Sequence, residues 1–102
     1  MNLKVGQSLG SALDTTSVIV VRAPAVEVSL TCGGVEMVVG AKPTGDGSQI
    51  ELSKVGGAVL GKRYVDEAVG VEVLCTKPGR GALEVDGVAL TIKAAKPLPS
   101  SD

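Results

Sequence analysis

Val26-Glu27-Val28-Ser29-Leu30-Thr31-Cys32-Gly33-Gly34-Val35-Glu36-Met37-Val38-Val39 alternates apolar and polar residues up to a pair of glycines, then resumes. In an extended chain successive side chains point to opposite faces. Val26, Val28, Leu30 and Cys32 therefore share one face, and Glu27, Ser29 and Thr31 the other. Two glycines are what a two-residue hairpin turn needs, because both central residues take positive φ. The stretch predicts a strand, a tight turn and a second strand over Val35–Val39. The same grammar returns downstream, where Ala82–Val85 and Val88–Lys93 flank Asp86-Gly87. Val71, Val73 and Cys75 line one face of a further strand. Ser17–Arg22 (SVIVVR) is unbroken apolar sequence up to its arginine and predicts a strand buried on both faces or at a tight interface. Gln49–Val55 reads as another short strand, and Gly6–Leu13 as one helical turn. The expected fold class is all-β, with strands of roughly 4–7 residues.

Composition narrows the possible functions. The 102 residues are 44% apolar, enough for one small core. Ten basic residues face eleven acidic ones, for a net charge of −1. A nucleic-acid binder carries a basic excess, and base stacking needs more than the single aromatic, Tyr64. With no histidine, His-based triads and His-ligated metals are excluded. No apolar run reaches the roughly 18–20 residues of a membrane helix, and no signal peptide is visible. Two cysteines are too few for a disulfide-stapled secreted scaffold. The expected location is the cytoplasm, with free thiols. A Cys32–Cys75 disulfide is the alternative.

The chain also resembles itself. With VGQSLGSALDTTSVIVVR from Val5 set beside LGKRYVDEAVGVEVLCTK from Leu60, Gly6 falls on Gly61, Leu9 on Tyr64, Val18 on Val73 and Arg22 on Lys77. After the second copy is shortened by two residues, Leu30 falls on Leu83, Gly34 on Gly87, Val35 on Val88, Met37 on Leu90 and Val39 on Ile92. Both copies run into Lys-Pro, at Pro43 and Pro97. The expected organisation is a repeat over 1–43, a linker over 44–58, a second repeat over 59–95 and an extended tail over 96–102. A unit of about 40 residues lies near the lower limit for independent folding, so two such units are expected to share a core.

The second copy, GKRYVDEAVGVEVLCTKPGRGALEVDGVAL, resembles the desulforedoxin-type, rubredoxin-like fold over about 30 residues. Tyr64 stands at that family's tyrosine, and Gly70 at the glycine after its second cysteine. Gly79 and Gly81 fall in its glycine-rich loop, and Leu83 and Gly87 bracket its second knuckle. The resemblance implies two small β units in tandem, a pseudo-twofold dimer within one chain. It also implies four thiolates around iron or zinc in each unit. Here those positions are Asp66, Val69, Val85 and Asp86, and in the first copy Ser11, Asp14, Cys32 and Gly33. One thiol remains, so the metal site is vestigial and the expected cofactor complement is none. Val69 and Val85 are expected to fill the second vacancy with apolar packing.

Other residues that carry chemistry are sparse. Cys32 and Cys75 read as buried small apolar residues in phase with their strands. Lys62, Arg63, Lys77 and Arg80 form the one basic cluster, and Thr76–Gly81 would offer backbone amides to an anion. Asp66, Glu67 and Glu72 read as surface charges. In the tail, Pro97 and Pro99 flank Leu98 ahead of Asp102, a pattern suited to docking on a protein partner. The leading expectation is a non-catalytic interaction module or accessory subunit with a protein partner. Nucleic acid and membrane are not expected as partners, and higher oligomers remain open. The alternatives are a metal or electron-transfer protein sharing residual cysteines across an oligomer, and a small anion- or phosphometabolite-binding protein.

Overall fold

The computed structural model describes residues 2–48, 50 and 52–93. The fold is all-β, and the described residues form ten short strands in two antiparallel sheets. The first half contributes β1 (Ser8–Gly10), β2 (Ser17–Arg22), β3 (Leu30–Cys32), β4 (Val35–Glu36) and β5 (Val38–Val39). The second contributes β6 (Arg63–Asp66), β7 (Val71–Lys77), β8 (Leu83–Val85), β9 (Val88–Ala89) and β10 (Thr91–Ile92). One sheet runs β10-β6-β7-β2-β1-β5 and the other β4-β3-β8-β9. Each order reads the same from either end when β1 is matched with β6, β2 with β7, and so on.

The registers follow the spacing of the sequence repeat. Leu9 pairs with Val18, as Tyr64 does with Val73. Leu9 pairs with Val39, as Tyr64 does with Ile92. Cys32 pairs with Val35, as Val85 does with Val88. Where the halves meet, matched positions oppose each other: Ile19 faces Leu74 across β2 and β7, and Thr31 faces Glu84 across β3 and β8. Turn bonds recur too. Gly6 N donates to Val20 O and Gly61 N to Cys75 O, while Gly33 N donates to Ala82 O and Asp86 N to Ser29 O.

Both hairpin turns have the expected form. Gly33 and Gly34 have φ of 67° and 89°, and Asp86 and Gly87 have 50° and 82°. Positive φ at both central residues matches the right-handed twist of the flanking strands. Asp86 is the one non-glycine with positive φ among the described residues. Its Oδ1 accepts the Ser29 amide of the other half at 2.8 Å, which fixes the turn in place.

The core is one cluster drawn from both halves, with Leu9, Val18, Val20, Leu30, Val71, Val73 and Val85 at its centre. Several local expectations are corrected. Gly6–Leu13 is a turn running into β1, not a helical turn. Gln7 N and Gly6 N bond as a turn and a ladder rung require, to Lys4 O and Val20 O. Within Gln49–Val55, the described residues form a 3-10 turn over Leu52–Lys54 and one bridge from Val55 to Gly81, not a strand. Ser17–Arg22 is buried on one face only. Val18 and Val20 point into the core while Ile19 is 37% exposed, because only one side of this sheet meets the other. In Val26–Cys32, regular pairing is confined to β3, and Val26 is exposed. The strands on either side of Met37 and Leu90 are broken at those residues, whose side chains turn inward.

Glu72 is also corrected, from a surface charge to a buried one. Its carboxylate meets Arg63 Nη1 at 3.4 Å and Lys93 Nζ at 3.0 Å. These two cations stand on β6 and immediately after β10, so the pair ties three neighbouring chain segments together.

Because each sheet is continuous only through the contact between halves, neither half closes a core alone. A fragment spanning 1–58 is expected to lack dispersed amide resonances and a cooperative melt, whereas the full chain shows both. A folded fragment, seen by NMR and circular dichroism, would contradict the shared core.

Candidate functional site at Asp14

Ser11, Asp14 and Cys32, three of the four positions of the first half that the sequence resemblance aligned with metal ligands, come together. The β1–β2 loop is shaped by its own side chains. Ser11 Oγ accepts the amides of Leu13 and Asp14 at 3.1 and 3.2 Å, and Asp14 Oδ1 accepts that of Thr16 at 2.9 Å. Such local bonds are why serine and aspartate favour turns. The Asp14 carboxylate is then almost wholly enclosed. Its Oδ2 accepts the amides of Arg80 and Gly81, from the other half, at 2.7 and 2.8 Å. The Cys32 thiol lies 3.8 Å from Oδ1 and donates to it.

This carboxylate has no cation on it; backbone amides hold it. Burial pushes its pKa up, but the bonds from Thr16, Gly81 and their neighbours outweigh burial and leave it below the ordinary aspartate range. Burial is the main cause that pushes the Cys32 thiol up, and the adjacent carboxylate adds to it. Burial likewise raises Cys75, whose thiol lies 3.1 Å from Lys77 O. Both cysteines are free and buried, so neither is poised as a thiolate nucleophile.

The loop suspected of holding an anion does hold one, and the anion is the chain's own Asp14. The amides of Arg80 and Gly81 are thereby occupied. The four basic residues are not gathered on one ligand. Arg63 is engaged by Glu72, Arg80 packs its side chain over Gly47, and Lys62 and Lys77 are exposed. Gly33, the fourth position so aligned in the first half, uses its amide on Ala82 O.

In the second half the four positions aligned by the same resemblance, Asp66, Val69, Val85 and Asp86, diverge in role. Val85 is buried in the core and Val69 packs against it from the edge. Asp66 Oδ1 accepts the Ala68 amide, and Asp86 Oδ1 the Ser29 amide. Asp66, Glu67 and Glu72 form no carboxylate pair, since Glu72 is turned to its two cations. Among the described residues no three His, Cys, Asp or Glu side chains gather as a metal would require. Pro97, Leu98, Pro99 and Asp102 lie outside the described residues.

Thr16 escaped the sequence reading, and the roles of Gly79 and Gly81 in this contact did too. Thr16 is fully buried beside Asp14, and its Oγ1 has no hydrogen-bond partner among the described residues. Gly79 and Gly81 are required by close approach. A Cβ on Gly81 would come within 2.6 Å of Cys32 Sγ, and one on Gly79 would collide with Thr16 Oγ1. The glycines of Pro78-Gly79-Arg80-Gly81 were the available signal, read as turn residues and not as a contact between halves. No helix among the described residues is long and apolar enough to cross a membrane. Comparison with protein-family models, curated proteins and solved structures finds no match.

Removing the carboxylate strands buried amides. Asp14→Ala is expected to cost about 3 kcal/mol in urea unfolding, since each buried donor left unpaired costs roughly 1–3 kcal/mol. The sign with pH follows from the lowered pKa. The stabilisation is complete above the unfolded-state pKa, about 3.9, and is lost as pH falls through the lower folded-state value. Urea midpoints between pH 5 and 2 should fall for the native chain, with that component absent in Asp14→Asn. In a separate measurement, a thiol reagent at pH 8 should label Cys32 and Cys75 only after denaturant is added; rapid labelling of the native protein would contradict their burial.

Proposed function

We propose that this chain is a non-catalytic protein-interaction module, an accessory subunit of a larger assembly. In this reading two degenerate desulforedoxin-like units have been fused, and the metal centres have been replaced by packing. The observation that carries it is the use already made of each chemically capable group. Asp14, Glu72, Cys32 and Cys75 are all buried, and the two carboxylates are fully engaged in holding strands together. The shared register spacing of the two halves supports duplication. The convergence of Ser11, Asp14 and Cys32 supports descent from a ligand-bearing knuckle.

The outer surface supports association. Val5 and Leu60, Val35 and Val88, and Val39 and Ile92 are exposed apolar residues at matched positions of the two halves. Val39 and Ile92 lie on β5 and β10, the outer strands of the larger sheet, and Val35 and Val88 on β4 and β9, the outer strands of the smaller. Free strand edges bearing valine and isoleucine invite further pairing unless they are protected. The tail, with Leu98 between prolines, adds a linear docking element, and a cytoplasmic location accords with two free thiols.

Purification of the tagged chain from its native cells tests the reading. A protein partner at near-equal stoichiometry is expected. Deleting 97–102, or combining Val35→Lys with Val88→Lys, should weaken its retention without moving the melting temperature by more than about 2 °C. Elution as a lone 10.2 kDa species at low salt would defeat the proposal.

A further inference from the structure

The two halves differ in one place where matched residues should pack alike. In the first half Leu3, Leu9, Leu30 and Met37 are all buried against one another's cluster. Their counterparts at the same repeat spacing are Ala58, Tyr64, Leu83 and Leu90. The register holds close to this point, since Gln7 N donates to Lys4 O and Lys62 N to Val59 O. Alanine thus stands where the first half has leucine. Beside it Ala89 stands where the first half has Glu36.

The missing volume is not recovered. Ala58, Tyr64, Leu83, Ala89 and Leu90 line a pocket of about 140 Å³, whose wall also includes Gly56, Gly57, Gly81 and Ala82. The tyrosine does not collapse into it, because its hydroxyl reaches away to accept the Val59 amide at 2.8 Å. Gly81 does not fill it either, since any side chain there would point at Cys32. The lining is mostly hydrocarbon. The pocket opens to solvent beside the exposed Ala89, and its volume is close to that of an apolar cavity that admits benzene.

We propose that this pocket is a binding site for a small uncharged hydrocarbon ligand, or the hydrocarbon end of a small molecule, about the size of a phenyl ring or a branched four-carbon group. The ligand supplies the contacts that Leu3 supplies within the first half. The site stands independently of the partner reading above, since it needs no protein partner and no tail.

Titration of the 15N-labelled full chain with benzene, followed by amide chemical shifts, tests it. Saturable shifts are expected at Gly56, Gly57, Ala58, Gly81, Ala82 and Ala89, with the matched region around Leu3 and Met37 unmoved. Ala58→Leu restores the residue of the first half; it should raise the melting temperature and abolish saturation. Ala89 is exposed, so Ala89→Glu alters the mouth without loading the core, and it should weaken benzene binding at least about tenfold. This second variant decides the matter if the first does not fold. Absence of saturable shifts in the native chain, shifts spread over both halves, or undiminished binding in Ala89→Glu would overturn the proposal.

Discussion

Antiparallel pairing between the halves is the constraint on which this structure depends. β2 pairs with β7, with Ile19 opposite Leu74, and β3 pairs with β8, with Thr31 opposite Glu84. Through them three-strand and two-strand fragments become a six-stranded and a four-stranded sheet. A unit of about 40 residues buries too little apolar surface to offset its conformational entropy. Pairing edge to edge removes two exposed strand edges from each unit and lets Val18, Val20, Val71 and Val73 share one interior.

The two halves pack these loops by opposite chemistry. In the second, Val85 is buried and Val69 packs partly buried beside the core, and full burial of a side chain of this size is worth roughly 1.5–3 kcal/mol. In the first, Asp14 collects four donors around a buried charge. An enclosed carboxylate is tolerated only when its lone pairs are met. Here two of the donors, the amides of Arg80 and Gly81, come from the other half. The polar solution therefore does what the apolar one does not: it specifies how the β1–β2 loop sits against the β7–β8 loop. Packing of valines is indifferent to small slips, whereas amide-to-carboxylate bonds of 2.7–2.8 Å are not.

Much of the fold was legible because it rests on local signals. Asp86-Gly87 and Gly33-Gly34 announced their turns through the need for positive φ. The alternation at Val71, Val73 and Cys75 announced a buried face. The errors arose where a tertiary contact overrode pattern. Glu72 looks like an outward residue until Arg63 and Lys93 are seen on either side of it. Ser17–Arg22 looks wholly buried because valine and isoleucine suit any strand, yet Ile19 lies on a face with nothing over it. At the candidate site, aspartate and glycine-rich sequence both suggested anion chemistry. Only the fold reveals that residues 66 positions apart in sequence satisfy each other, leaving an internal tie in place of a receptor.

Residues 79–82 connect the two departures from symmetry. Gly81 gives its amide to Asp14 and its backbone to the wall of the hydrocarbon pocket, and it bridges to Val55 as well. Gly79 admits Thr16, and Ala82 receives the Gly33 amide while facing the same pocket. One short segment thus carries a buried charge on one side and an unfilled apolar space on the other. Protonation of Asp14 weakens the bonds that hold this segment from the first side. Occupation of the pocket adds contacts that hold it from the second.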